Sequence, residues 1–294
     1  MLKLPGRNGT FAGFRASRSM CVDLNYSDRQ PSLPTSVEMP RLTRDRRLDQ
    51  RAIAEECAIA LVYDGTTVAV VMATPADLTD LAIGFSLTEG IIKTASEIHD
   101  LNVVPSAGGV ELRMWLKPSC GAKFKDRRRR LVGPTGCGLC GIESLSQAAR
   151  HSPALVRNIS IGSHQIELAL EALSRAQALN RTTRATHAAG FYSPVAGLVT
   201  AREDVGRHNA LDKLAGAMAV ARLSGRDGAI VLTSRVSVEM VQKTAAIGSS
   251  ILIAISAPTA LAVRTAHACG ITIVAIARGC EFEIFTHPTG IIRD

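Results

Sequence analysis

The second half of the chain alternates short apolar runs with helical patterns, and this alternation restricts the possible folds more than any other feature. Apolar runs of this kind are typical of strands in a parallel or mixed sheet that helices cover on both faces. In such a sheet the ligand site lies in the loops after the carboxyl ends of the strands. Strands are predicted at residues 229–232, 251–255, 271–277 and 283–286, helices at 168–179, 205–223, 237–246 and 258–269, and the candidate loops are 233–235, 256–258 and 278–281.

The first half of the chain has a different organisation. Residues 1–50 contain several Gly and Pro residues and a charged run without a period, so we expect a loosely ordered tail with sheet structure beginning near its end. Two strands around an Asp64-Gly65 turn signal, a helix after Pro75 and two further strands follow. We therefore predict a tail (1–50), a smaller α+β domain (51–154) and an α/β domain (155–294). The predicted fold class is α/β for the larger domain, and the two domains together make the chain α+β overall.

Composition narrows the class of partner. Lys plus Arg number 34 and Asp plus Glu number 26, a net charge of +8 that favours anionic partners. Aromatic residues make up only 4% of the chain, which argues against the stacking surfaces that bind single-stranded nucleic acid. An odd number of cysteines, seven, favours a reducing compartment, and no apolar stretch resembles a signal peptide or a membrane span. We expect a cytoplasmic protein without nucleic-acid or membrane partners.

The most specific chemical feature is the pair Cys137 and Cys140, which lies among four glycines directly before a helical pattern. Glycine lets a bulky partner approach the sulfur, and the amides of a helix N-terminus lower the pKa of a thiol and make it nucleophilic. A zinc site would need a second ligand pair, and the sequence has no other C-x-x-C and no H-x-x-x-H. A thioredoxin-like motif would lie near the start of its domain. The pattern favours a sulfur-handling loop over these two readings and over a pair of buried structural cysteines.

Several blocks in the same order strongly resemble the FdhD family, the sulfurtransferases that assist maturation of formate dehydrogenases. The resemblance covers most of residues 52–288 and leaves residues 1–40 outside. The matching blocks are residues 80–92, the cysteine loop at 136–141, and residues 186–190, 202–213, 234–243 and 256–263.

This resemblance implies a sulfur carrier. A cysteine desulfurase would load sulfur from L-cysteine onto Cys137 as a persulfide, and Cys140 would assist transfer or release. The acceptor would be the molybdenum (or tungsten) cofactor of formate dehydrogenase, bis-molybdopterin guanine dinucleotide (bis-MGD). The resemblance also implies a homodimer and a second domain with a three-layer fold like that of cytidine deaminases.

The same resemblance implies a cofactor-binding stretch after the third apolar strand of the second domain, with GDP as a fragment mimic of the cofactor. Within it, Arg278 would pair with phosphate. The sequence departs from the family pattern in two places: Cys280 occupies a position where glycine is expected, and Glu281 occupies one where a basic residue is common. Cys280 is either a second sulfur relay or a tolerated small residue. The stretch consists of Ile276, Ala277, Arg278, Gly279, Cys280 and Glu281.

Two further questions stay open at this stage. Residues 202–209 offer both signs of charge before a long helix, which suits either a nucleotide contact or a capping and salt-bridge cluster. His187 resembles the H-x-E signature of zinc deaminases, but Ala189 occupies the acid position, so deamination is disfavoured. The alternative function is a zinc- or nucleotide-binding module without turnover, in which Cys137, Cys140 and His187 hold zinc. We otherwise predict no metal site.

Overall fold

A computed structural model describes residues 25–26, 33–118 and 154–292 of the 294-residue chain. The described residues before 119 contribute one α-helix and seven strands. In chain order these elements are β1 (Asn25–Tyr26), β2 (Ser36–Leu42), β3 (Leu48–Ala54), β4 (Cys57–Tyr63), β5 (Thr66–Ala73), α1 (Leu78–Thr88), β6 (Ile98–Ser106) and β7 (Gly109–Leu116).

The described residues before 119 contain a five-stranded sheet with the order β1-β6-β7-β4-β5, and this part is called the first domain below; the domain boundaries at residues 50 and 154 stay a prediction, and β1 lies within the predicted tail. Strands β4 and β5 form the predicted hairpin, and its turn residues Asp64 and Gly65 have positive φ angles of 47° and 78°. Two consecutive residues with positive φ are what a two-residue hairpin turn needs, and Asp-Gly adopts them at low cost. Helix α1 buries apolar side chains against this sheet, so the predicted α+β unit is confirmed.

A second, two-stranded antiparallel sheet pairs β2 with β3. It begins at Ser36, inside the stretch 1–50 that we expected to be loosely ordered. Large apolar side chains on this hairpin, such as Leu42 and Leu48, are exposed. Because neither face is consistently buried, its sequence lacks the alternation that identifies a strand. Residues 1–24 and 27–32 of the predicted tail lie outside the described residues.

The second domain contributes the remaining described elements. They are β8 (Ile161–Gly162), α2 (Ser163–Ala176), α3 (Ala178–Thr183), β9 (His187–Ser193), β10 (Gly197–Asp204), α4 (Arg207–Val220), β11 (Ala229–Leu232), α5 (Val238–Ile247), β12 (Ile251–Ala254), α6 (Ala260–Cys269), β13 (Thr272–Arg278), β14 (Glu281–Ile284) and β15 (Ile291–Ile292).

A six-stranded sheet with the order β10-β9-β11-β12-β13-β14 forms the centre of this domain, and its middle strands β11, β12 and β13 are parallel. Successive strand residues face opposite sides, as the two-residue period of a strand requires. Ile230 packs with helices α4, α5 and α6, whereas Val231 packs with α2 on the other face. The prediction of a sheet covered on both faces is confirmed, and it gives three layers. The specific likeness to the cytidine-deaminase fold stays a prediction.

Four details differ from the sequence-based expectation. The helix predicted at 168–179 is two helices, α2 and α3, which together begin at Ser163 and are interrupted at Gln177. The long helix is shorter than predicted, because Gly206 provides an extended N-cap and α4 starts only at Arg207. The last strand of the large sheet starts two residues early, at Glu281, because a tight turn returns the chain directly after β13. The antiparallel pair β9 and β10 was not predicted. Its strands mix small and polar residues, so they lack the continuous apolar run that identified the central strands.

The two domains meet where α1 crosses α4 with the backbones in contact. A Cβ atom on Gly84 would lie 1.7 Å from the carbonyl oxygen of Asp212, and one on Gly216 would lie 2.0 Å from that of Asp80. Only glycine allows helices to approach this closely, because any Cβ would overlap the opposing backbone. The crossing therefore fixes how the start of α4 is placed against the first domain.

Candidate functional site

The strand ends of the large sheet assemble the predicted ligand loops along one edge. Leu232, the last residue of β11, pairs with Ala254 at the end of β12 and with Ala189 near the start of β9. Asp204, the last residue of β10, pairs with His187, the first residue of β9. Neighbouring strands lie about 4.8 Å apart, so this edge extends about 19 Å from β10 to β13. The edge collects every predicted loop of the second domain.

The predicted cofactor-binding stretch forms the end of β13 and its turn into β14. Ile276 has a φ of 53°, a left-handed conformation that is unusual for a β-branched residue and is found at ligand sites more often than elsewhere. Arg278, Gly279, Cys280 and Glu281 are all exposed. Arg278 and Glu281 are partners in the antiparallel register. Glu281, the acid that departs from the family pattern, therefore lies directly opposite Arg278, the residue predicted to bind phosphate.

One buried ion pair joins the end of β10 to α4. Lys213 Nζ lies 2.6 Å from Asp204 Oδ2, and both side chains are fully buried. Lys213 also donates a hydrogen bond to the carbonyl oxygen of Thr74, and the Thr74 amide donates to Asp204 Oδ2. Asn209 donates to Asp204 Oδ1 and to the carbonyl oxygen of Met72. A buried charge is tolerated only when it is paired. Because Met72 and Thr74 supply some of these partners, the first domain helps to stabilise the buried charges of α4 and β10.

A second buried ion pair links α4 to α5 and α1. Lys243 Nζ lies 2.8 Å from Asp212 Oδ1 and 3.3 Å from Glu89 Oε1, and Thr88 donates to Asp212 Oδ1 at 2.6 Å. Burial alone would lower the pKa of Lys243, but the carboxylates of Asp212 and Glu89 outweigh it and raise that pKa. Lys243 therefore stays an ammonium ion inside the interface.

The residues before α4 also have structural partners. Arg202 Nε lies 2.7 Å from Asp80 Oδ2, an ion pair between the two domains. The carboxylate of Glu203 accepts hydrogen bonds from the backbone amides of Leu179 and Asn180 at the start of α3. For residues 202–204 and 209 the structure therefore supports a capping and salt-bridge cluster, not a nucleotide contact.

Three polar residues at the same edge are different, because a polar atom of each is buried without a hydrogen-bond partner among the described residues. They are Arg207 (Nε) and His208 (Nε2) in the first turn of α4, and Ser237 (Oγ), the N-cap of α5. Burial, together with the charge of Arg207, lowers the pKa of His208 to about 4, so this imidazole is neutral at pH 7. Buried polar atoms in folded proteins are rarely left without a hydrogen-bond partner. These three mark the strongest candidate for a ligand contact at the edge.

Comparison with known proteins agrees with this architecture. The model of the FdhD/NarQ family matches residues 54–292. The chain belongs to the FdhD/NarQ family. It is 54% identical over 244 residues to sulfur carrier protein FdhD of Agrobacterium fabrum, covering 83% of this chain and 90% of the relative. It is 45% identical over 263 residues to sulfur carrier protein FdhD of Cupriavidus necator, covering 89% of this chain and 91% of that relative.

A solved structure shares the fold. A crystal structure from Desulfotalea psychrophila, of a protein described as a formate dehydrogenase accessory protein, superposes with a TM-score of 0.70 at 24% sequence identity. The match covers 88% of this chain and all of the other chain. The resemblance to the FdhD family that the sequence blocks indicated is therefore confirmed.

In this FdhD/NarQ chain, the two predicted catalytic residues Cys137 and Cys140 lie outside the described residues. His187 is half-buried, and burial together with the charge of Arg207 lowers its pKa. No group of three or more His, Cys, Asp or Glu side chains within residues 33–118 and 154–292 is arranged to hold a metal ion. The zinc alternative depends on Cys137 and Cys140 and stays a prediction.

None of the helices in the part of the chain that the structure describes combines the length and the apolar character needed to span a membrane.

Sequence reasoning missed the interior charges of the family blocks. Asp212, Lys213 and Lys243 lie in blocks that carried the resemblance, but the sequence assigned them no role. A signal was available: Asp212 and Lys213 interrupt the apolar face of a predicted helix, and a charge at such a position must find a buried partner. The partners lie 9 and 31 positions away, Asp204 and Lys243, so local pattern could not name them.

Proposed function

We propose that this protein is a sulfur carrier that accepts sulfur from a cysteine desulfurase as a persulfide on Cys137 and transfers it to bis-MGD for formate dehydrogenase. The observation that carries the proposal is the 54% identity to a sulfur carrier protein FdhD over 83% of the chain. The glycine-rich Cys137/Cys140 motif adds independent support, because its chemistry suits an exposed thiolate. The proposal includes a cytoplasmic location, which the odd number of cysteines favours, and a homodimer, which the resemblance implies.

The loading step is thiol exchange. The thiolate of Cys137 attacks the outer sulfur of the desulfurase persulfide, the sulfur–sulfur bond there breaks, and the desulfurase thiolate leaves. For delivery, the thiolate of Cys140 attacks the Sγ atom of Cys137 and displaces the terminal sulfur as sulfide. The thiols of Cys137 and Cys140 supply the two electrons that reduce this sulfur as they are oxidised to a disulfide, which a thiol reductant reduces before the next turnover. Cys140 thereby makes release at the acceptor possible.

The acceptor carries pyrophosphate groups, and the strand-end edge of the second domain suits such an anion. Arg278 provides an exposed guanidinium group at the end of β13. Arg207 and His208 provide buried nitrogen atoms that no described residue pairs with, at the N-terminus of α4, where the helix dipole favours negative charge. We propose that the exposed turn binds cofactor phosphate, and that the buried atoms face the anionic group that reaches α4.

The decisive experiment is mass spectrometry after incubation with a cysteine desulfurase and L-cysteine. We expect the mass of one added sulfur atom on the peptide that contains Cys137, released by cyanide. Cys137→Ala should abolish the added mass, whereas Cys57→Ala, which removes a partly exposed cysteine outside the proposed sites, should retain it. Loading that persists in Cys137→Ala, or stoichiometric zinc in the purified protein, would contradict the carrier function.

The cofactor half of the proposal is tested separately by calorimetry with GDP. Arg278→Ala should weaken GDP binding by about 1.5–3 kcal/mol, the usual scale of a hydrogen bond to a charged group. Cys137→Ala should leave GDP affinity unchanged, because the thiol does not hold the nucleotide. If the parent protein binds no guanine nucleotide even at low salt, the carrier serves a different acceptor.

A further inference from the structure

A cavity of about 520 Å³ lies between the two domains, away from the strand-end turn of β13. Its walls come from the start of β2, the segment before α1, the junction of α2 and α3, and β10. In the sheet order, three strands separate β10 from β13, the strand of the proposed phosphate contact, and the usual strand spacing puts these two strands about 19 Å apart; β9, next to β10, also contributes Ala188 to the lining. Its polar lining includes Ser36, Thr74, Asp77, Gln177, Arg202 and Glu203.

Gln177 is the first observation that points to a ligand. The residue is buried in the junction between α2 and α3, with a relative exposure of 7%, yet its Nε2 amide makes no hydrogen bond to any described residue. A buried amide without a partner is costly, and nearly all such groups in folded proteins are satisfied. Gln177 is one of the residues that line the cavity, so a small rotation of its side chain would bring this donor to a molecule bound there.

The charged side chains in the cavity wall differ in how fully they are paired. Glu203 is saturated by the amides of α3, and Arg202 is paired with Asp80. Asp77 lies at the N-cap of α1 but its side chain makes no capping hydrogen bond, and its Oδ1 atom lies 3.6 Å from Arg202 Nε. The cavity therefore presents an acidic acceptor next to amide and guanidinium donors, with carboxylates in excess.

We propose that this cavity binds a free α-amino acid. Such a zwitterion carries an ammonium group and a carboxylate on the same carbon atom, and the cavity lining offers it an acidic acceptor, Asp77, and an amide donor, Gln177. Its ammonium group would donate to Asp77, and its carboxylate would accept from the Gln177 amide. The volume lies within the usual range for small-molecule sites and leaves room for a side chain. The excess of carboxylates disfavours anions that lack an ammonium group.

The test measures the melting temperature of the full chain with each common L-α-amino acid at millimolar concentration, followed by calorimetry on the best binder. A ligand that binds only the folded state raises the melting temperature. We expect one or a few amino acids to do so. The N-acetyl derivative and the amide of the best binder, which lack the ammonium group and the carboxylate respectively, should each bind at least about tenfold more weakly.

Two variants assign the contact. Asp77→Asn removes the charge, and asparagine tolerates the left-handed φ of 51° at this position. Gln177→Met removes the amide at similar length. Each should weaken binding about tenfold or more, whereas Asp227→Asn, an exposed acid elsewhere in the second domain, should not. No binding by any amino acid, or equal binding of the blocked derivatives, would overturn the proposal even if a variant failed to fold. Persulfide loading is not measured here, so either outcome leaves the sulfur-carrier proposal to its own test.

Discussion

Helix α4 contains two regions that differ in whether their buried polar groups are paired. At its middle, Asp212 and Lys213 are buried and fully paired, one with Lys243 and the other with Asp204. At its first turn, Arg207 and His208 have buried nitrogen atoms that pair with no described residue. The difference teaches that burial by itself does not identify a site. Paired charges define how the domains fit together, and unpaired ones mark where a further group is expected.

The largest effect should come from breaking the paired region. Lys213→Met would leave Asp204 as an unpaired buried carboxylate, and we expect a loss of about 3–5 kcal/mol in the free energy of unfolding. Urea denaturation measures it, with Lys93→Met at an exposed position as the control. The double variant Asp204→Asn/Lys213→Met should lose less than the sum of the two single losses. A loss below about 1 kcal/mol for Lys213→Met would show that the pair is not buried in solution.

The unpaired region should respond to pH. The pKa of His208 is about 4 in the folded protein and 6.5 as a free side chain, so its contribution to stability is complete above pH 6.5 and is lost as pH falls toward 4. At about 1.4 kcal/mol for each pKa unit, the loss is on the order of 3 kcal/mol between pH 7 and pH 4.

His208→Gln should remove this component of the pH dependence, because glutamine keeps a donor but does not titrate. Denaturation at pH 7 and pH 4 compares the parent, His208→Gln and His99→Gln, the last being an exposed histidine. Identical pH dependence in the parent and His208→Gln would mean that the imidazole is not held neutral.

A smaller effect is expected at the helix crossing that holds the paired region in place. Gly216→Ala should destabilise the fold by about 1–3 kcal/mol, because its Cβ would lie 2.0 Å from the carbonyl oxygen of Asp80 and the helices must move apart. Thermal unfolding measures the change. Gly108→Ala is the matched control, since a Cβ there meets nothing within 4 Å. Equal melting temperatures for the two variants would contradict the close approach.

The sequence predicted those parts of the fold in which burial follows a simple period. The strand Ala229–Leu232 was placed at its observed bounds, because a continuous apolar run between helical patterns has few other interpretations. The turn at Asp64 and Gly65 was placed equally well, because its backbone requirement is local. Strands β9 and β10 were missed, since their identity depends on neighbours distant in the sequence.

The candidate site could be predicted only in part, for the same reason. The order of the strands implies that residues 278–281 lie at the edge where the parallel strands end, and the topology places them there, whereas ligand binding at this edge stays a prediction. Residues 202–209 could either contact a nucleotide or cap a helix. The structure favours the second because Arg202 pairs with Asp80 and Glu203 accepts from the start of α3, and the sequence pattern alone does not reveal these distant partners. The unpaired atoms of Arg207 and His208 are evident only from three-dimensional packing.

The contact between α1 and α4 has a consequence for second-site suppression. A variant of the Lys213–Asp204 pair can be compensated, because changing the partner side chain removes the stranded charge. At Gly84 and Gly216 the opposing atoms are carbonyl oxygens of the main chain, which no substitution can remove. A screen for suppressors of Lys213→Met should therefore recover changes at Asp204, whereas a bulky residue at either glycine should yield no suppressor at the contact itself.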